Sequence, residues 1–496
     1  MKTYNLFINR EFKDSKFKNK IINPATGEII AEVSLASRED VNLAIKAARD
    51  AFDKGPWRDI SLGQRKEFLL KISQGILDKA AELAQLETLN TGKPLKESTF
   101  MDIPSAAETF KYFGNNLERI LKEETIEVKS QVSSAKAKLL PQAKGVVGLI
   151  VPWNYPLLIA SWKLAQSLAA GNTVILKPSS LTPLTALELA KIVDEAGLPK
   201  GVVNIMPGPG EEVGQPLCSD KRVDMISFTG SNIVGQKILE YSSKNVKKLI
   251  MELGGKSASI ILDDADLELA VNGSLCSIFL NQGQMCTAMS RILVQDGIYD
   301  KFIEGFIKKV KSIKLGNGLD FETQMGPLAS RWQREKVIKY VKKAKANGAE
   351  LLAGGKIPSQ KKLAKGFFFE PTVFAGVSSG EPIFQEEIFG PIVCISKFSK
   401  AEEAIELANK SDFALAGCIW TKDIEKAKNI ANKVNAGTIW INTYGMFFNE
   451  LTYGGFKQSG FGKELGDQGL LEYTNLKNVI VDTTEDSKPL VNYWYG

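Results

Sequence analysis

Residues 282–291 read QGQMCTAMSR, and Cys286 within them is a candidate nucleophile. A cysteine attacks as its thiolate, so a catalytic cysteine needs a base or a positive neighbour. The chain contains no histidine, which excludes Ser-His-Asp and Cys-His catalysis and the HExxH zinc site. A base in this protein must therefore be a carboxylate, a lysine, a tyrosine or water. The alternative is that Cys286 is a core residue, because free cysteine is often buried.

Two other polar residues stand where a base and an oxyanion donor are needed. Glu252 in MELGGK ends an apolar run, and burial raises the pKa of a carboxyl group towards that of a useful base. Asn154 in VPWNYP follows another apolar run, where its amide can donate to a developing oxyanion. Taken singly, each also fits a plain structural role, as a strand-end glutamate and a turn asparagine.

The sequence offers weak signals for a dinucleotide. No GxGxxG follows the first strand of the series, and GPGEEVG is one residue too long. In FTGSNIVG, Gly230 and Ser231 open a predicted helix that contains Gly235, and backbone amides at a helix start suit a pyrophosphate. In QEEIFGP, Glu387 can bridge two ribose hydroxyls while Phe389 packs on a ring, although a surface turn has the same pattern.

Composition limits the possible classes of function. The chain has 496 residues, 44% of them hydrophobic and 24% charged, which is typical of a globular protein of two or three domains. The net charge of +6 is spread along the chain, so no nucleic-acid partner is predicted. No apolar stretch is long enough to span a membrane, and the five cysteines contain no CxxC pair. We therefore expect a cytoplasmic protein with no metal site.

Two α/β series organise the chain. From about 145 to 262, apolar strands alternate with helices, which predicts a parallel sheet covered on both faces with its ligand at the carboxyl ends of the strands. A second series runs from about 255 to 440. Residues 37–120 are mostly helical, starting at Ser37 as N-cap. The segment 122–142 predicts a hairpin, and LKNVIVDTT predicts a strand outside both series.

Seven motifs together resemble a known family. PWNYP, KPS, FTGS, MELGGK, GQMC, EEIFGP and GGFKQSGFG occur in the order and approximate spacing of the aldehyde dehydrogenase superfamily, from about residue 5 to 482. The resemblance implies an α/β fold with an atypical Rossmann cofactor domain (1–121 and 143–252) and an α/β catalytic domain (253–450). It also implies a small β oligomerisation element (122–142 and 471–496) in a homodimer or homotetramer. PLLIASWK and PLVNYWYG look most like the betaine aldehyde dehydrogenase branch.

The resemblance also assigns roles to particular residues. It makes Cys286 the nucleophile, Asn154 and the Cys286 backbone N–H the oxyanion hole, and Glu252 the base that activates the hydrolytic water. Lys177 would hold the adenosine ribose, Glu387 the nicotinamide ribose and Ser231 the pyrophosphate of NAD or NADP. The implied cofactor-binding set is Ile150, Pro152, Trp153, Lys177, Ser179, Ser180, Gly210, Gly214, Phe228, Gly230, Ser231, Gly235, Leu253, Gly254, Glu387 and Phe389.

One position departs from the family pattern and bears on the cofactor. Many NAD-selective members read KPxE, where the glutamate binds the adenosine 2′-hydroxyl and repels a 2′-phosphate. This chain reads KPSSLTP, with Ser180 in that place. Without that carboxylate the repulsion is absent, so we expect NADP to be accepted. No arginine lies beside Ser180 to hold the phosphate, and both cofactors therefore stay open.

The substrate is expected to be a small aldehyde that is oxidised irreversibly to a carboxylate. Tyr155, Trp162 and Tyr453 match positions that hold a trimethylammonium group by their aromatic faces, and Glu450 adds a negative charge. Betaine aldehyde or an aminoaldehyde is therefore the first expectation. The alternatives are a semialdehyde such as succinic semialdehyde, a general aliphatic aldehyde, or a non-catalytic relative. The loop NTYGMFFNELTYGG contains no arginine for an anionic substrate.

Overall fold

The N-terminal segment begins with five short strands. The structure is a computed structural model, and it describes residues 2–131 and 133–484. β1 and β5 form a three-stranded sheet with β4, whereas β2 and β3 extend one edge of a larger sheet. The strands are Lys2–Tyr4 (β1), Leu6–Ile8 (β2), Glu11–Lys13 (β3), Lys18–Ile22 (β4) and Ile29–Ser34 (β5).

A helical segment follows, as the sequence predicts. The Ser37 hydroxyl accepts a hydrogen bond from the Asp40 N–H, and the Asp40 carboxylate accepts one from the Ser37 N–H. This capping box confirms the predicted start of the first helix. The helices are Arg38–Asp53 (α1), Leu62–Asp78 (α2), Ala80–Thr91 (α3), Leu95–Glu97 (α4) and Ile103–Ile120 (α5), with a π-helical turn at Ser98–Asp102 before α5.

The predicted hairpin and the first α/β series come next, and both are confirmed. The hairpin consists of Glu124–Lys129 (β6) and Ser134–Ala143 (β7). The strands of the series are buried almost throughout, as expected for a sheet covered on both faces. The series comprises Val146–Ile150 (β8), Pro156–Ala169 (α6), Thr173–Lys177 (β9), Leu184–Ala196 (α7), Val203–Ile205 (β10), Gln215–Ser219 (α8), Met225–Thr229 (β11), Asn232–Ser242 (α9) and Lys248–Glu252 (β12).

The second α/β series is also present. Its elements are Ala258–Ile261 (β13), Leu267–Phe279 (α10), Arg291–Gln295 (β14), Tyr299–Ser312 (α11), Arg331–Ala346 (α12), Glu350–Ala353 (β15), Thr372–Ala375 (β16), Pro382–Gln385 (α13), Ile392–Phe398 (β17), Ala401–Asn409 (α14), Phe413–Ala414 (β18), Ala416–Trp420 (β19), Ile424–Ala431 (α15) and Thr438–Ile441 (β20). Short 3₁₀ turns occur at Pro56–Asp59, Leu280–Gly283, Asp296–Ile298 and Lys361–Leu363. The turn Leu280–Gly283 joins α10 to the stretch that carries Cys286.

The C-terminal part returns to the earlier sheets. Its elements are Phe456–Lys457 (β21), Gly460–Phe461 (β22), Gly466–Glu472 (α16) and Thr474–Asp482 (β23). β23 pairs antiparallel with β7, so the predicted C-terminal strand completes a three-stranded sheet with the hairpin. The ending PLVNYWYG lies outside the described residues.

Two large sheets make up the body of the protein. The first has the order β22-β12-β11-β8-β9-β10-β2-β3, and the second has the order β15-β16-β17-β14-β13-β19-β20. β8 to β12 run parallel in the first sheet, so their carboxyl ends meet at one edge. No helix in residues 2–131 and 133–484 is long and apolar enough to cross a membrane.

Candidate active site

The carboxyl ends of four neighbouring strands form the floor of the candidate site. Ile150 at the end of β8 lies opposite Lys177 of β9 on one side and Phe228 of β11 on the other. Thr229 lies opposite Glu252 at the end of β12. The parallel sheet therefore brings together five residues that the sequence separates by as many as 102 positions, counted from Ile150 to Glu252. Pro152 and Trp153 continue directly from β8.

Lys177 is buried, and its side-chain ammonium group has no hydrogen bond or ion pair to any described residue. It is 8% exposed, and burial lowers its pKa to about 8. A β-carbon on Gly214 would lie 3.9 Å from Lys177 Cε, so the turn Gly210–Gly214 passes beside the lysine stem. A buried ammonium group without a partner lowers the stability of a folded protein. Lys177 therefore fits a ligand with hydroxyl or anionic oxygens.

The segment after Lys177 carries the two predicted serines. Ser179 and Ser180 are both half-buried, and the Ser180 carbonyl accepts a hydrogen bond of 2.8 Å from Asn19 Nδ2. This bond fixes the backbone of KPSS against the N-terminal strands. No carboxylate among the described residues forms an ion pair with Lys177.

The start of α9 has the geometry of an anion site. Ser231 is the N-cap residue, and its side chain makes no capping bond, so the first backbone N–H groups of the helix lack a side-chain acceptor. A β-carbon on Gly235 would lie 2.8 Å from Leu253 Cδ2, and one on Gly230 would lie 2.4 Å from the Phe228 ring. Both glycines therefore allow close packing that a side chain would block.

A tight turn after β12 holds Glu387. The Gly255 N–H donates to Glu387 Oε1 at 3.0 Å, and a β-carbon on Gly254 would lie only 2.6 Å from Glu387 Oε2. Burial raises the pKa of Glu387. Phe389 has a φ of 63°, and its ring lies 5.2 Å from that of Trp153 in an edge-on arrangement. EEIFGP and PWNYP are thus neighbours in space.

Two amide side chains join the Cys286 segment to Asn154. Asn281 Nδ2 donates to the Asn154 carbonyl at 3.1 Å, and Asn154 Nδ2 donates to the Gln284 carbonyl at 2.8 Å. Asn281 adopts a left-handed φ of 46°, which turns the chain sharply before Cys286. The Asn154 amide is therefore not wholly free, since one of its two hydrogens is engaged by Gln284 and one is left for an oxyanion.

Cys286 is partly buried and is influenced by two carboxyl groups. Burial raises the pKa of its thiol to about 12, and the carboxyl groups of Glu387 and Glu252 act in the same direction. The hydrogen bond between Cys286 Sγ and Tyr453 Oη, 3.3 Å long, acts in the opposite direction. A β-carbon on Gly255 would lie 2.3 Å from the Cys286 carbonyl oxygen, so this glycine allows MELGGK to approach the cysteine.

Glu252 is buried, and neither of its carboxylate oxygens has a hydrogen-bond partner among the described residues. Its pKa is raised well above the ordinary value, first by burial and then by the charge of Glu464. A β-carbon on Gly454 would lie 2.6 Å from Glu252 Oε1. Glu252 is therefore a strong candidate for a base with a raised pKa.

A cavity of about 520 Å³ opens above these groups. Its wall contains Cys286 and Glu252, and also all four predicted substrate residues, Tyr155, Trp162, Glu450 and Tyr453. Glu450 is exposed, whereas the three aromatic residues are buried. Further wall residues are Phe100, Met101, Asp102, Glu108, Leu158, Ile159, Lys163, Met285, Thr287, Met446, Phe447, Phe448, Asn449, Glu464 and Leu465. No arginine is present among them.

Sequence reasoning missed several residues of this cavity. The ring of Phe447 lies 5.9 Å from that of Trp162 and 5.6 Å from that of Tyr453, and Trp162 lies 5.6 Å from Tyr453, so three rings form one cluster. Phe447 lies in the loop NTYGMFFNELTYGG, whose aromatic residues could have indicated it. Glu464 carried no local signal.

A buried lysine modifies the prediction for Tyr155. Lys93 Nζ lies 3.8 Å from the centroid of the Tyr155 ring and 2.5 Å from Asp102 Oδ2. One face of Tyr155 therefore already contacts a protein cation, and only its other face is available to a ligand. The cluster of Trp162, Phe447 and Tyr453 has no such occupant among the described residues.

The family profile decides the class of protein. The aldehyde dehydrogenase family matches residues 12–479. The chain belongs to the aldehyde dehydrogenase family. It is 46% identical to betaine aldehyde dehydrogenase of Bacillus subtilis over 493 residues, which cover 99% of each protein. It is 42% identical to a chloroplastic aminoaldehyde dehydrogenase of Arabidopsis thaliana, covering 98% of this chain and 97% of that protein.

Solved structures confirm the fold of this aldehyde dehydrogenase. A point mutant of Staphylococcus aureus betaine aldehyde dehydrogenase, in complex with NAD⁺ and with a cysteine modified by β-mercaptoethanol, superposes with a TM-score of 0.95 at 43% identity and covers 99% of both chains. The NAD⁺ complex of a Bacillus cereus aldehyde dehydrogenase gives a TM-score of 0.94 at 40% identity, covering 97% of both chains. The predicted α/β aldehyde dehydrogenase fold is therefore confirmed.

Proposed function

We propose that this protein oxidises a cationic aldehyde, betaine aldehyde or an aminoaldehyde, to its carboxylate with NAD or NADP. The observation that carries the proposal is the cavity above Cys286 and Glu252, whose buried wall is the ring cluster of Trp162, Phe447 and Tyr453. Aromatic faces attract quaternary ammonium groups. The similarity to a betaine aldehyde dehydrogenase and to an aminoaldehyde dehydrogenase supports the same substrate class.

The charges of the cavity wall also favour a cation. Lys163 lies in the wall but is bound to Glu464 at 2.5 Å, and Asp102 is bound to Lys93 at 2.5 Å. Glu450 forms no ion pair with a described residue. The wall therefore offers an unpaired negative charge and no unpaired positive one, which disfavours an anionic semialdehyde. A general aliphatic aldehyde remains the second candidate, since exposed Phe100 and Phe448 make the mouth apolar.

The proposed chemistry begins at Cys286. Its thiolate attacks the aldehyde carbon, and the carbonyl electron pair moves to oxygen, where the Cys286 N–H and the second Asn154 amide hydrogen donate to it. A nicotinamide cofactor, when bound, would supply the acceptor for the hydride that leaves this carbon. The resulting thioester on Cys286 is attacked by a water whose proton passes to Glu252. The S–C bond then breaks, the carboxylate leaves and the thiolate is restored.

The cofactor residues fit a dinucleotide on the grounds given above. Lys177 and Glu387 are the groups proposed to hold the two riboses, and the start of α9 at Ser231 is proposed to hold the pyrophosphate. The glycines at 230, 235 and 254 leave space that a β-carbon would fill. With Ser180 in place of an acid beside Lys177, a 2′-phosphate meets no repulsion there, so we propose that NADP is accepted as well as NAD.

A panel of initial rates tests this proposal. The aldehydes are betaine aldehyde, 4-aminobutanal, succinic semialdehyde and hexanal, each with NAD and with NADP. We expect kcat/KM for a cationic aldehyde to exceed that for hexanal by about tenfold or more, and that for succinic semialdehyde to be lowest. Betaine aldehyde no better than hexanal would contradict the proposed cation site. Ser180→Glu is the matched variant for the cofactor, and we expect it to lose activity with NADP alone.

Three of the sheets are the basis for the domain division and the assembly that we propose. We propose a cofactor domain on the eight-stranded sheet, a catalytic domain on the seven-stranded sheet, and an oligomerisation element on β6, β7 and β23. That element exposes Ile126, Val128, Leu476, Ile480 and Val481, which suits contact with a second copy. Light scattering separates a dimer or tetramer from a monomer, and a monomer at all concentrations would contradict the proposal. The cytoplasmic location stays a prediction.

A further inference from the structure

The sulfur of Cys286 has one side-chain hydrogen-bond partner among the described residues. Tyr453 Oη lies 3.3 Å from Sγ, within the range of a sulfur hydrogen bond. Tyr453 is 7% exposed, and its hydroxyl makes no other hydrogen bond to a described residue. Among the described residues, the Tyr453 hydroxyl is therefore bonded to the sulfur alone, and no other acceptor competes for it.

The position of Tyr453 is fixed on two sides. Its backbone N–H donates to the Glu464 carbonyl at 2.7 Å, and its carbonyl accepts from the Glu464 N–H at 2.9 Å. Its ring packs edge-on against Trp162 and Phe447. The hydroxyl is consequently held in place before any substrate arrives, as a preorganised donor must be.

A hydrogen-bond donor beside Cys286 Sγ stabilises a thiolate that the surrounding groups disfavour. The Cys286 thiol is partly buried, and this burial and the carboxyl groups of Glu387 and Glu252 all disfavour a thiolate. No histidine is available anywhere in the chain to stabilise it. A hydroxyl that donates to a thiolate forms a charge-assisted hydrogen bond, which is about twice as strong as a neutral one.

We propose that the hydroxyl of Tyr453 donates a hydrogen bond to the Cys286 thiolate and thereby stabilises the nucleophile before attack. The proposal rests on Cys286 being the nucleophile, and it is independent of which aldehyde is oxidised. The cysteine proton leaves to water, and Tyr453 keeps its own proton. When the S–C bond forms, the sulfur loses its negative charge and the hydrogen bond weakens. Tyr453 thus serves both the aromatic cluster and the reacting atom.

The test is the pH dependence of Cys286 alkylation by iodoacetamide, without aldehyde or cofactor, read by mass spectrometry of the Cys286 peptide. Tyr453→Phe keeps the ring and removes the hydroxyl. We expect its apparent thiol pKa to rise by about one unit and its alkylation rate near neutral pH to fall about tenfold. Tyr444→Phe is the matched control, because the Tyr444 hydroxyl bonds to Thr287 Oγ1 at 3.1 Å and to Met285 Sδ at 3.7 Å, and not to Cys286 Sγ. We expect the control to change the rate less than about twofold.

Each outcome decides the proposal. An unchanged or faster alkylation in Tyr453→Phe would overturn it, because the phenol would then be neutral to the thiolate or would accept from the thiol. If Tyr453→Phe fails to fold, a monofluorinated tyrosine in place of Tyr453 supplies a stronger donor of nearly the same shape. It is expected to lower the apparent thiol pKa, and no shift would overturn the proposal. Failure of the proposed function would appear separately, as oxidation of aldehyde by Cys286→Ala.

Discussion

Two buried glutamates line the same cavity and are bonded in opposite ways. Glu464 is fully satisfied, because Lys163 Nζ at 2.5 Å and Ser227 Oγ at 2.9 Å reach Oε1, while Gln166 Nε2 at 2.9 Å reaches Oε2. Glu252 has no hydrogen-bond partner for either oxygen among the described residues. Both are at most 3% exposed.

The difference fits a structural role for Glu464 and the proposed catalytic role for Glu252. Most buried polar groups in folded proteins are hydrogen-bonded, so the Glu464 cluster is the ordinary arrangement. A buried carboxyl group without a partner costs stability, and such groups are often found at functional sites. Glu464 also helps to raise the pKa of Glu252 by its charge. Glu464 therefore belongs to a hydrogen-bonded structural cluster and also raises the pKa of Glu252.

Removing the carboxylate of Glu252 is expected to have the largest effect. Glu252→Gln loses the proposed base but keeps the shape, so kcat should fall by about 10²- to 10⁴-fold. Steady-state production of reduced cofactor measures this. The first turnover should remain, since attack by Cys286 and hydride transfer precede hydrolysis. A variant with wild-type kcat would remove Glu252 from the mechanism.

Removing the charge of Glu464 should act on stability. In Glu464→Gln the buried ammonium of Lys163 loses its partner, which is expected to cost about 3–5 kcal/mol in the free energy of unfolding. Urea unfolding at neutral pH measures the change. Glu252→Gln is the matched comparison, and its free energy of unfolding should not decrease. Equal decreases in the free energy of unfolding of the two variants would show that the different hydrogen bonding of the two glutamates does not affect stability.

The pH dependence of stability should distinguish the wild type from Glu252→Gln. The pKa of Glu252 is raised in the folded protein, so the folded state binds this proton more tightly than the unfolded state, whose glutamate pKa is about 4.3. Its stabilising contribution is complete below that value and is lost as the pH rises towards the folded pKa. The wild type should therefore lose up to about 1.4 kcal/mol per pH unit relative to Glu252→Gln in this window. If the free energies of unfolding of the two proteins instead change in parallel as the pH rises above the unfolded value, the raised pKa of Glu252 is refuted.

The smallest expected effect concerns Trp162 in α6, which directly precedes Lys163, the residue bound to Glu464. Lys163 reaches Glu464, whereas Trp162 joins the aromatic cluster. Trp162→Leu keeps an apolar wall but removes the aromatic face. We expect KM for betaine aldehyde to rise about tenfold, and KM for hexanal to change by less than about twofold. An equal change for both aldehydes would indicate a generic apolar wall.

Much of this site could be predicted from sequence because its motifs are local. Strand ends and their flanking glycines mark Glu252 and Ser231, the family resemblance marks Lys177, and the parallel sheet then brings the three to one edge. The contrast between the glutamates could not be predicted in this way. Lys163 and Glu464 are 301 residues apart in the chain, and neither stands at a strand end or beside a diagnostic turn.

The contacts of the aromatic residues with distant parts of the chain also could not be predicted from the sequence. The resemblance to the family indicated Tyr155, Trp162 and Tyr453 but could not show that Lys93 occupies one face of Tyr155. Nor could it place the Tyr453 hydroxyl on Cys286, which lies 167 residues earlier in the chain. Such contacts depend on how loops from distant parts of the chain meet above the sheet, and no short-range sequence pattern predicts that.

The most direct test of the account is the intact mass of Glu252→Gln after a single turnover. The variant is mixed with NAD and the best aldehyde of the panel, quenched rapidly and examined by mass spectrometry. The account predicts an acyl group on Cys286, accumulating in proportion to the reduced cofactor, because hydrolysis is slow while attack and oxidation are intact. Reduced cofactor without an acyl adduct, together with wild-type turnover, would contradict it.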